Sequence, residues 1–133
     1  MKATIVQTDL KWEDKDANLA HISSLLSLAG SDTGLVVLPE MFTTAFSMDP
    51  SRLAETMEGP AVLWMKEKAL SGGFALCGSL IIREGDQFYN RLLFVTPPGE
   101  ITHYDKRHLH SMSGEHTVYS RGNERVILSY REF

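Results

Sequence analysis

The sequence is poor in cysteine and has no long apolar run. Cys77 is the single cysteine among 133 residues, so an internal disulfide is excluded and nothing indicates an oxidising compartment. Apolar runs are too short to cross a bilayer, and Asp9 and Lys11 follow the N-terminus too closely for a signal peptide. The sequence therefore predicts a cytoplasmic protein with no membrane partner.

An excess of positive charge is missing as well. Thirteen Lys and Arg residues stand against seventeen Asp and Glu residues, which gives a net charge of −4. Such a chain has no general attraction to nucleic acid, and the basic cluster at 106–108 is too small to change this. Apolar residues make up 43% of the chain and charged residues 23%, a composition typical of a globular domain.

The order of predicted elements favours an α/β layered sheet. Apolar residues at helical spacing predict a first helix from Asp14 or Asp16 to about residue 29. Pro60 predicts the first turn of a second helix over 61–70, which Gly72 and Gly73 end. The predicted strands cover residues 3–8, 35–38, 74–83, 88–96, 101–104 and 125–130.

Two polar residues, Glu40 and Lys106, each follow the end of a predicted strand. Glu40 comes after Pro39, which ends a strand because it cannot donate to a ladder, and its apolar neighbours predict partial burial. Either residue alone is more often a solvated surface group. Ligands bind at the carboxyl ends of strands in α/β sheets, however, and the two groups together suit chemistry on a carbonyl. The carboxylate would move protons, and the ammonium would stabilise developing negative charge.

The blocks around these residues resemble the carbon–nitrogen hydrolase family, also called the nitrilase superfamily, and most closely its ω-amidase branch. The similarity covers nearly the whole chain and occurs in the correct order. The matching blocks are Leu38-Pro39-Glu40-Met41-Phe42, Asn90-Arg91, Tyr104-Asp105-Lys106-Arg107-His108-Leu109, Gly114-Glu115-His116 and Gly122-Asn123-Glu124. The resemblance implies the N-terminal half of an α-β-β-α sandwich, that is, a single truncated domain over residues 1–133 with an incomplete layered sheet. It also implies a dimer for the full-length protein.

The resemblance also implies the roles of five residues. Glu40 would be the general base, Lys106 would stabilise the tetrahedral intermediate, and Glu115 would help to position Lys106 and the nucleophile. Phe42 and Phe46 would line the acyl pocket. The implied partner is a small-molecule substrate, the side-chain amide of a small 2-oxo dicarboxylate such as 2-oxoglutaramate. Ammonia would be released through a cysteine thioester, and no cofactor would be needed.

The nucleophile of this chemistry is missing from the sequence. The resemblance implies a cysteine beyond the last predicted strand, and no cysteine follows Cys77. Cys77 itself precedes Lys106 and lies within an apolar strand pattern, so we predict that it packs in the core and is inert. The 133-residue chain is therefore expected to have no amidase activity alone.

A cupin-like metal-binding module is the second interpretation. The spacing of His108, His110, Glu115 and Gly122 matches the first half of the cupin motif, in which two histidines and a glutamate bind a divalent metal. Three observations oppose it: Thr102 replaces the glycine of the motif, the second motif is absent, and the helix over 14–29 does not suit an all-β fold. A noncatalytic scaffold is the third interpretation.

Overall fold

The computed structural model describes residues 1–132, which form one five-stranded sheet with helices. The strands are β1 Lys2–Ile5, β2 Thr33–Val37, β3 Ala75–Glu84, β4 Gln87–Val95 and β5 Ile101–Asp105. The helices are α1 Lys15–Leu26, α2 Pro50–Leu53, α3 Pro60–Gly72 and α4 Glu115–Val118, with a 3₁₀ turn at Ser111–Ser113. The strands lie in chain order; β1 to β3 are parallel, whereas β4 and β5 each pair antiparallel with the preceding strand. The predicted α/β class is confirmed.

The two long helices begin and end where local chemistry directs them. The Asp14 carboxylate accepts a hydrogen bond from the Ala17 amide at 3.1 Å and caps α1. Pro60 occupies the first turn of α3, and Gly73 ends that helix at a φ of 66°, which glycine adopts without strain. A distant residue completes the cap of α3: Glu55 Oε1 accepts from the backbone amide of Ala61 at 2.9 Å.

The hydrophobic core lies between one face of the sheet and the helices α1 and α3. Alternate residues of β2, β3 and β4 point towards these helices, as the strand period of two requires. On the other face, apolar side chains keep much of their surface open; Ile5 is 77% exposed and Leu92 is 36% exposed. One face of the sheet is therefore covered by α1 and α3. The other face, towards which the candidate site lies, is covered only where Met41, Leu53, Ile81 and Tyr119 form a second, smaller buried cluster.

Three parts of the predicted pattern were wrong. Residues 125–130, predicted as a strand, pair with no strand in the described part of the chain, and Ile127 is 84% exposed. An apolar run forms a strand only when a partner takes up its backbone hydrogen bonds. The segment between the predicted strands 101–104 and 125–130, for which no helix was predicted, contains the 3₁₀ turn and α4. The short helix α2 was not predicted either. None of the helices within residues 1–132 combines the length and apolarity needed to cross a membrane.

Candidate active site

The structure brings Glu40, Lys106 and Glu115 together. Lys106 Nζ lies 2.8 Å from Glu40 Oε1 and 3.0 Å from Glu115 Oε2, so the ammonium bridges the two carboxylates. The Asn90 side-chain amide donates to the same two residues, at 2.7 Å to Glu40 Oε1 and 3.1 Å to Glu115 Oε1. The four groups form one hydrogen-bonded cluster, although the first and last of them, Glu40 and Glu115, lie 75 positions apart in the sequence.

The turn after β2 presents Glu40. Met41 has a φ of 48°, a left-handed conformation that costs energy for a residue with a side chain. Ser79 on β3 holds this turn, because its Oγ accepts from Met41 N at 2.8 Å and its carbonyl accepts from Phe42 N at 3.2 Å. The Glu40 side chain keeps 50% of its surface exposed, while Met41 and Phe42 are buried. The strained turn therefore leaves the Glu40 carboxylate half-exposed while the two residues that follow it are buried.

Lys106 extends β5 by one residue. Its backbone amide donates to the Asn90 carbonyl at 3.0 Å, and its own carbonyl accepts from Gly122 N at 3.0 Å. Its Nζ also lies 5.1 Å from the centre of the Phe46 ring, a favourable cation–π contact. Burial alone would lower the pKa of Lys106, but hydrogen bonds to Glu40 and Glu115 raise it overall. The side chain is therefore held as an ammonium ion.

Glu115 is the first residue of α4, and its side chain is fully buried. Burial alone would raise its pKa, but hydrogen bonds from the His110 backbone, Asn90 and Lys106 lower it overall. A carboxyl whose pKa is lower in the folded than in the unfolded chain stabilises the fold above the unfolded pKa. This stabilisation is lost as the pH falls through the lowered pKa of Glu115.

A cavity of about 230 Å³ opens beside Glu40 and Lys106. Its lining is mostly apolar, and Glu40, Asn90 and Lys106 contribute its charged and amide groups. The other lining residues are Val37, Leu38, Pro39, Cys77, Gly78, Ser79, Leu92 and Tyr104. An apolar floor with a few converging polar groups is the usual composition of a small-molecule site.

The structure places Phe42, Phe46 and Cys77 differently from the sequence predictions. Neither predicted phenylalanine lines the cavity. Phe46 contacts Lys106, whereas Phe42 is fully buried beneath the sheet against Trp64. Cys77 was predicted to pack in the core, yet it is only half-buried and lines the cavity. Burial raises the pKa of its thiol, which leaves it mostly protonated at neutral pH.

The metal site of the cupin-like alternative is not formed by the described residues. No group of three His, Cys, Asp or Glu side chains within residues 1–132 is arranged to hold a metal ion. His110 Nδ1 instead accepts from Ser113 N at 3.2 Å, and Glu115 Oε2 is taken by the His110 backbone amide at 2.6 Å. The mixed α/β fold also departs from the all-β cupin architecture.

Residues 2–130 match the family model described as carbon–nitrogen hydrolase. The chain belongs to this family. The match covers nearly all of the described residues, and it contains Glu40, Lys106 and Glu115 together. The resemblance seen in the sequence blocks, to the nitrilase superfamily and its ω-amidase-like branch, is confirmed by this match and by the relatives described next.

Curated relatives and solved structures support the family assignment, and one of these relatives is an ω-amidase. The chain is 39% identical over 132 residues to Omega-amidase YafV of Escherichia coli K12, covering 98% of this chain and 50% of the relative. The solved structure of XC1258 from Xanthomonas campestris, a CN-hydrolase superfamily protein, aligns with a TM-score of 0.93 at 37% identity, covering 97% of this chain and 49% of that one. Saccharomyces cerevisiae Nit3 aligns with a TM-score of 0.81 at 26% identity, covering 92% and 48%. The chain thus spans about half the length of these carbon–nitrogen hydrolases.

Lys106→Met tests whether the ammonium is needed to keep Glu115 ionised in the core. We expect the free energy of unfolding at pH 7 to fall by about 2 kcal/mol, because a buried carboxylate loses its cation but keeps two hydrogen-bond donors. Urea unfolding of the purified chain measures this. Adding Glu115→Gln to Lys106→Met should restore part of the loss, since the unpaired charge is then removed. Equal unfolding midpoints for the wild-type chain and Lys106→Met would contradict the prediction.

Proposed function

We propose that this chain supplies the general base, the cation and the second carboxylate of an ω-amidase-like carbon–nitrogen hydrolase. The observation that carries the proposal is the position of Lys106 Nζ, within 3.0 Å of both Glu40 and Glu115 beside an apolar cavity. The reaction would release ammonia from the side-chain amide of a small 2-oxo dicarboxylate, such as 2-oxoglutaramate. The nucleophile would be a cysteine outside residues 1–133.

The two carboxylates take different roles because their exposure differs. Glu40 is half-exposed and lines the cavity, so it can reach a thiol, a leaving amine or water. Glu115 is fully buried and does not line the cavity, so it acts on Lys106 rather than on the substrate. Lys106 lines the cavity as a cation, and its raised pKa keeps it charged when an oxyanion forms.

The proposed steps follow from these roles. Glu40 accepts the thiol proton, and the thiolate attacks the amide carbon to give a tetrahedral oxyanion beside Lys106. The oxyanion collapses, the C–N bond breaks, and Glu40 returns the proton to the departing ammonia. Glu40 then takes a proton from water, and the resulting hydroxide attacks the thioester carbon. The C–S bond breaks, Glu40 returns the proton to the sulfur, and the carboxylic acid leaves. Each proton taken by Glu40 is given back, so the base is regenerated.

The selectivity for a substrate carboxylate is assigned to residues beyond this chain. Among residues 1–132, Lys106 is the only basic side chain that lines the cavity, and two carboxylates already pair with it. A second anion-binding group would therefore come from the rest of a full-length enzyme. The proposal also includes three expectations that the resemblance and the sequence raised: residues 1–133 are an incomplete part of a single domain, the full-length protein is a dimer, and it is located in the cytoplasm.

A fusion protein tests this proposal directly. Residues 1–133 are joined to the second half of E. coli Omega-amidase YafV, from the point where its similarity to this chain ends. We expect the fusion to release ammonia from 2-oxoglutaramate and the 133-residue chain alone to release none. The native relative is the positive control, and Cys77→Ser in the fusion should not abolish ammonia release.

Two results would contradict the proposal. The first is a fusion that folds with a native-like melting transition but releases no ammonia from ω-amides. This result would argue that residues 1–133 do not supply the catalytic groups of an ω-amidase. Ammonia release by the isolated chain that Cys77→Ser abolishes would identify Cys77 as the nucleophile instead. The half-buried position of Cys77 beside Glu40 and Lys106 makes this second control necessary.

A further inference from the structure

Asn90 occupies the centre of the site although no chemistry has been assigned to it. It lies on β4, opposite Ile81 of β3, and is only 3% exposed. Its backbone carbonyl accepts the Lys106 amide at 3.0 Å, so one residue contacts Lys106 through its backbone and both glutamates through its side chain. A strand residue buried at such a junction must satisfy its polar atoms or cost stability.

The side-chain amide of Asn90 has two N–H bonds, and the structure uses both. One hydrogen goes to Glu40 Oε1 and the other to Glu115 Oε1. The opposite orientation of the amide would aim its oxygen at two carboxylates, which only accept hydrogen bonds, so it would be repulsive. The geometry therefore fixes the amide in one orientation, with both donors facing the anions.

The charge balance of the cluster explains what this double donation does. Glu40 and Glu115 bring two negative charges to one site, whereas Lys106 brings one positive charge. Two carboxylates that share a site repel, and one of them tends to take up a proton. A neutral group with two donors offsets this repulsion without adding a charge, and it also fixes the direction of each carboxylate.

We propose that Asn90 is a positioning residue, which holds Glu40 and Glu115 in place by donating one hydrogen of its side-chain amide to each of them. This inference rests on the proposed function for its catalytic meaning, but its geometry belongs to the isolated chain. Asn90 reaches the substrate only through the groups that it orients. Removing its donors should change the ionisation of Glu115 while the fold is kept.

The charged and titratable groups that face the Asn90 amide come from three places. Glu40 belongs to the turn after β2, Lys106 follows β5, and Glu115 begins α4. Tyr119 follows the end of α4, where the negative charge of Glu115 adds to the effect of burial in raising the pKa of the tyrosine hydroxyl.

A nuclear magnetic resonance titration of the 133-residue chain tests the proposal. In Asn90→Leu, which keeps the size of the side chain but removes both donors, the pKa of Glu115 should rise by about one unit. In Asn90→Asp, which replaces the donors with a third carboxylate, the rise should be larger. Leu93→Val is the control. Leu93 is buried on the opposite face of β4, so this variant should lose stability without moving the Glu115 titration.

A measurement on the wild-type chain decides the matter if the variants fail to fold. The side-chain amide proton of Asn90 that Glu115 Oε1 accepts should shift as Glu115 takes up a proton at low pH. An Asn90 amide proton that stays unchanged through the Glu115 titration would overturn the proposal, as would a folded Asn90→Leu chain with an unchanged Glu115 titration. Neither outcome depends on ammonia release, so failure of the positioning role is distinguishable from failure of the proposed function.

Discussion

Glu40→Gln in the fusion with the second half of the E. coli relative is expected to lower kcat/KM for 2-oxoglutaramate by about 10²- to 10⁴-fold, the usual contribution of a general base. Glutamine keeps the shape of the side chain, and its oxygen can still accept from Asn90 Nδ2, but it cannot take a proton at neutral pH. The loss should appear mainly in kcat, because the proton transfers belong to the chemical steps. Initial rates of ammonia release over a range of substrate concentrations measure both constants.

Glu13→Gln is the matched control for this prediction. Glu13 also contacts the loop that follows Glu40, since its Oε1 accepts from Ser47 Oγ at 2.6 Å, but it does not line the cavity. It should change the unfolding midpoint slightly and the rate little. A Glu40→Gln fusion that keeps more than a tenth of the parent kcat would show that another group acts as the base.

The sequence led to Glu40 and Lys106 because each follows a strand end that local signals reveal. Pro39 ends the strand before Glu40, and Lys106 follows an apolar run that pairs in register with β4. Glu115 could be named only from the family resemblance, since α4 has four residues and shows no helical period. Its burial behind Lys106 depends on contacts between residues far apart in sequence, which periodicity does not encode.

The errors have a common physical cause. The run Val126-Ile127-Leu128 has the composition of a strand, but the structure provides it with no pairing partner among residues 1–132. Cys77 lies in an apolar run that could belong to either face of the sheet, and only the packing of α1 and α3 shows which face is covered. Local pattern showed only apolar runs in these cases, whereas tertiary contacts decided strand pairing and which face of the sheet is covered.

Glu55 and Asn90 show a second kind of information that the sequence did not display. Glu55 caps α3 from six residues before Ala61, outside the spacing that a capping box would use. Asn90 was noticed only as part of a matching block, although a buried polar residue in an apolar strand was the available signal. Both side chains satisfy donors or acceptors of other elements, so their roles become visible only when those elements are placed.

Arg91→Met should be the most destabilising of the substitutions considered, with a loss of about 3–5 kcal/mol in the free energy of unfolding. The Arg91 guanidinium is 2% exposed and forms two parallel hydrogen bonds to Asp105, from Nε at 2.7 Å and Nη2 at 2.9 Å. Its Nη1 donates to Glu84 at 2.7 Å. Methionine fills similar space, so the loss would come from the carboxylate of Asp105, which is 17% exposed and would lose its partner.

Two companion variants separate the buried pair from the surface pair in urea unfolding. Glu84 is 64% exposed, so Glu84→Gln should cost less than about 1 kcal/mol, as exposed ion pairs usually do. Arg91→Met combined with Asp105→Asn should be more stable than Arg91→Met alone, because no unpaired charge remains.

Asp105 directly precedes Lys106, so loss of the Arg91–Asp105 ion pair should also disturb the position of the Lys106 ammonium between the two glutamates. An Arg91→Met chain as stable as the wild type would contradict this prediction. The β4–β5 ladder would then hold Lys106 in place without the Arg91–Asp105 ion pair.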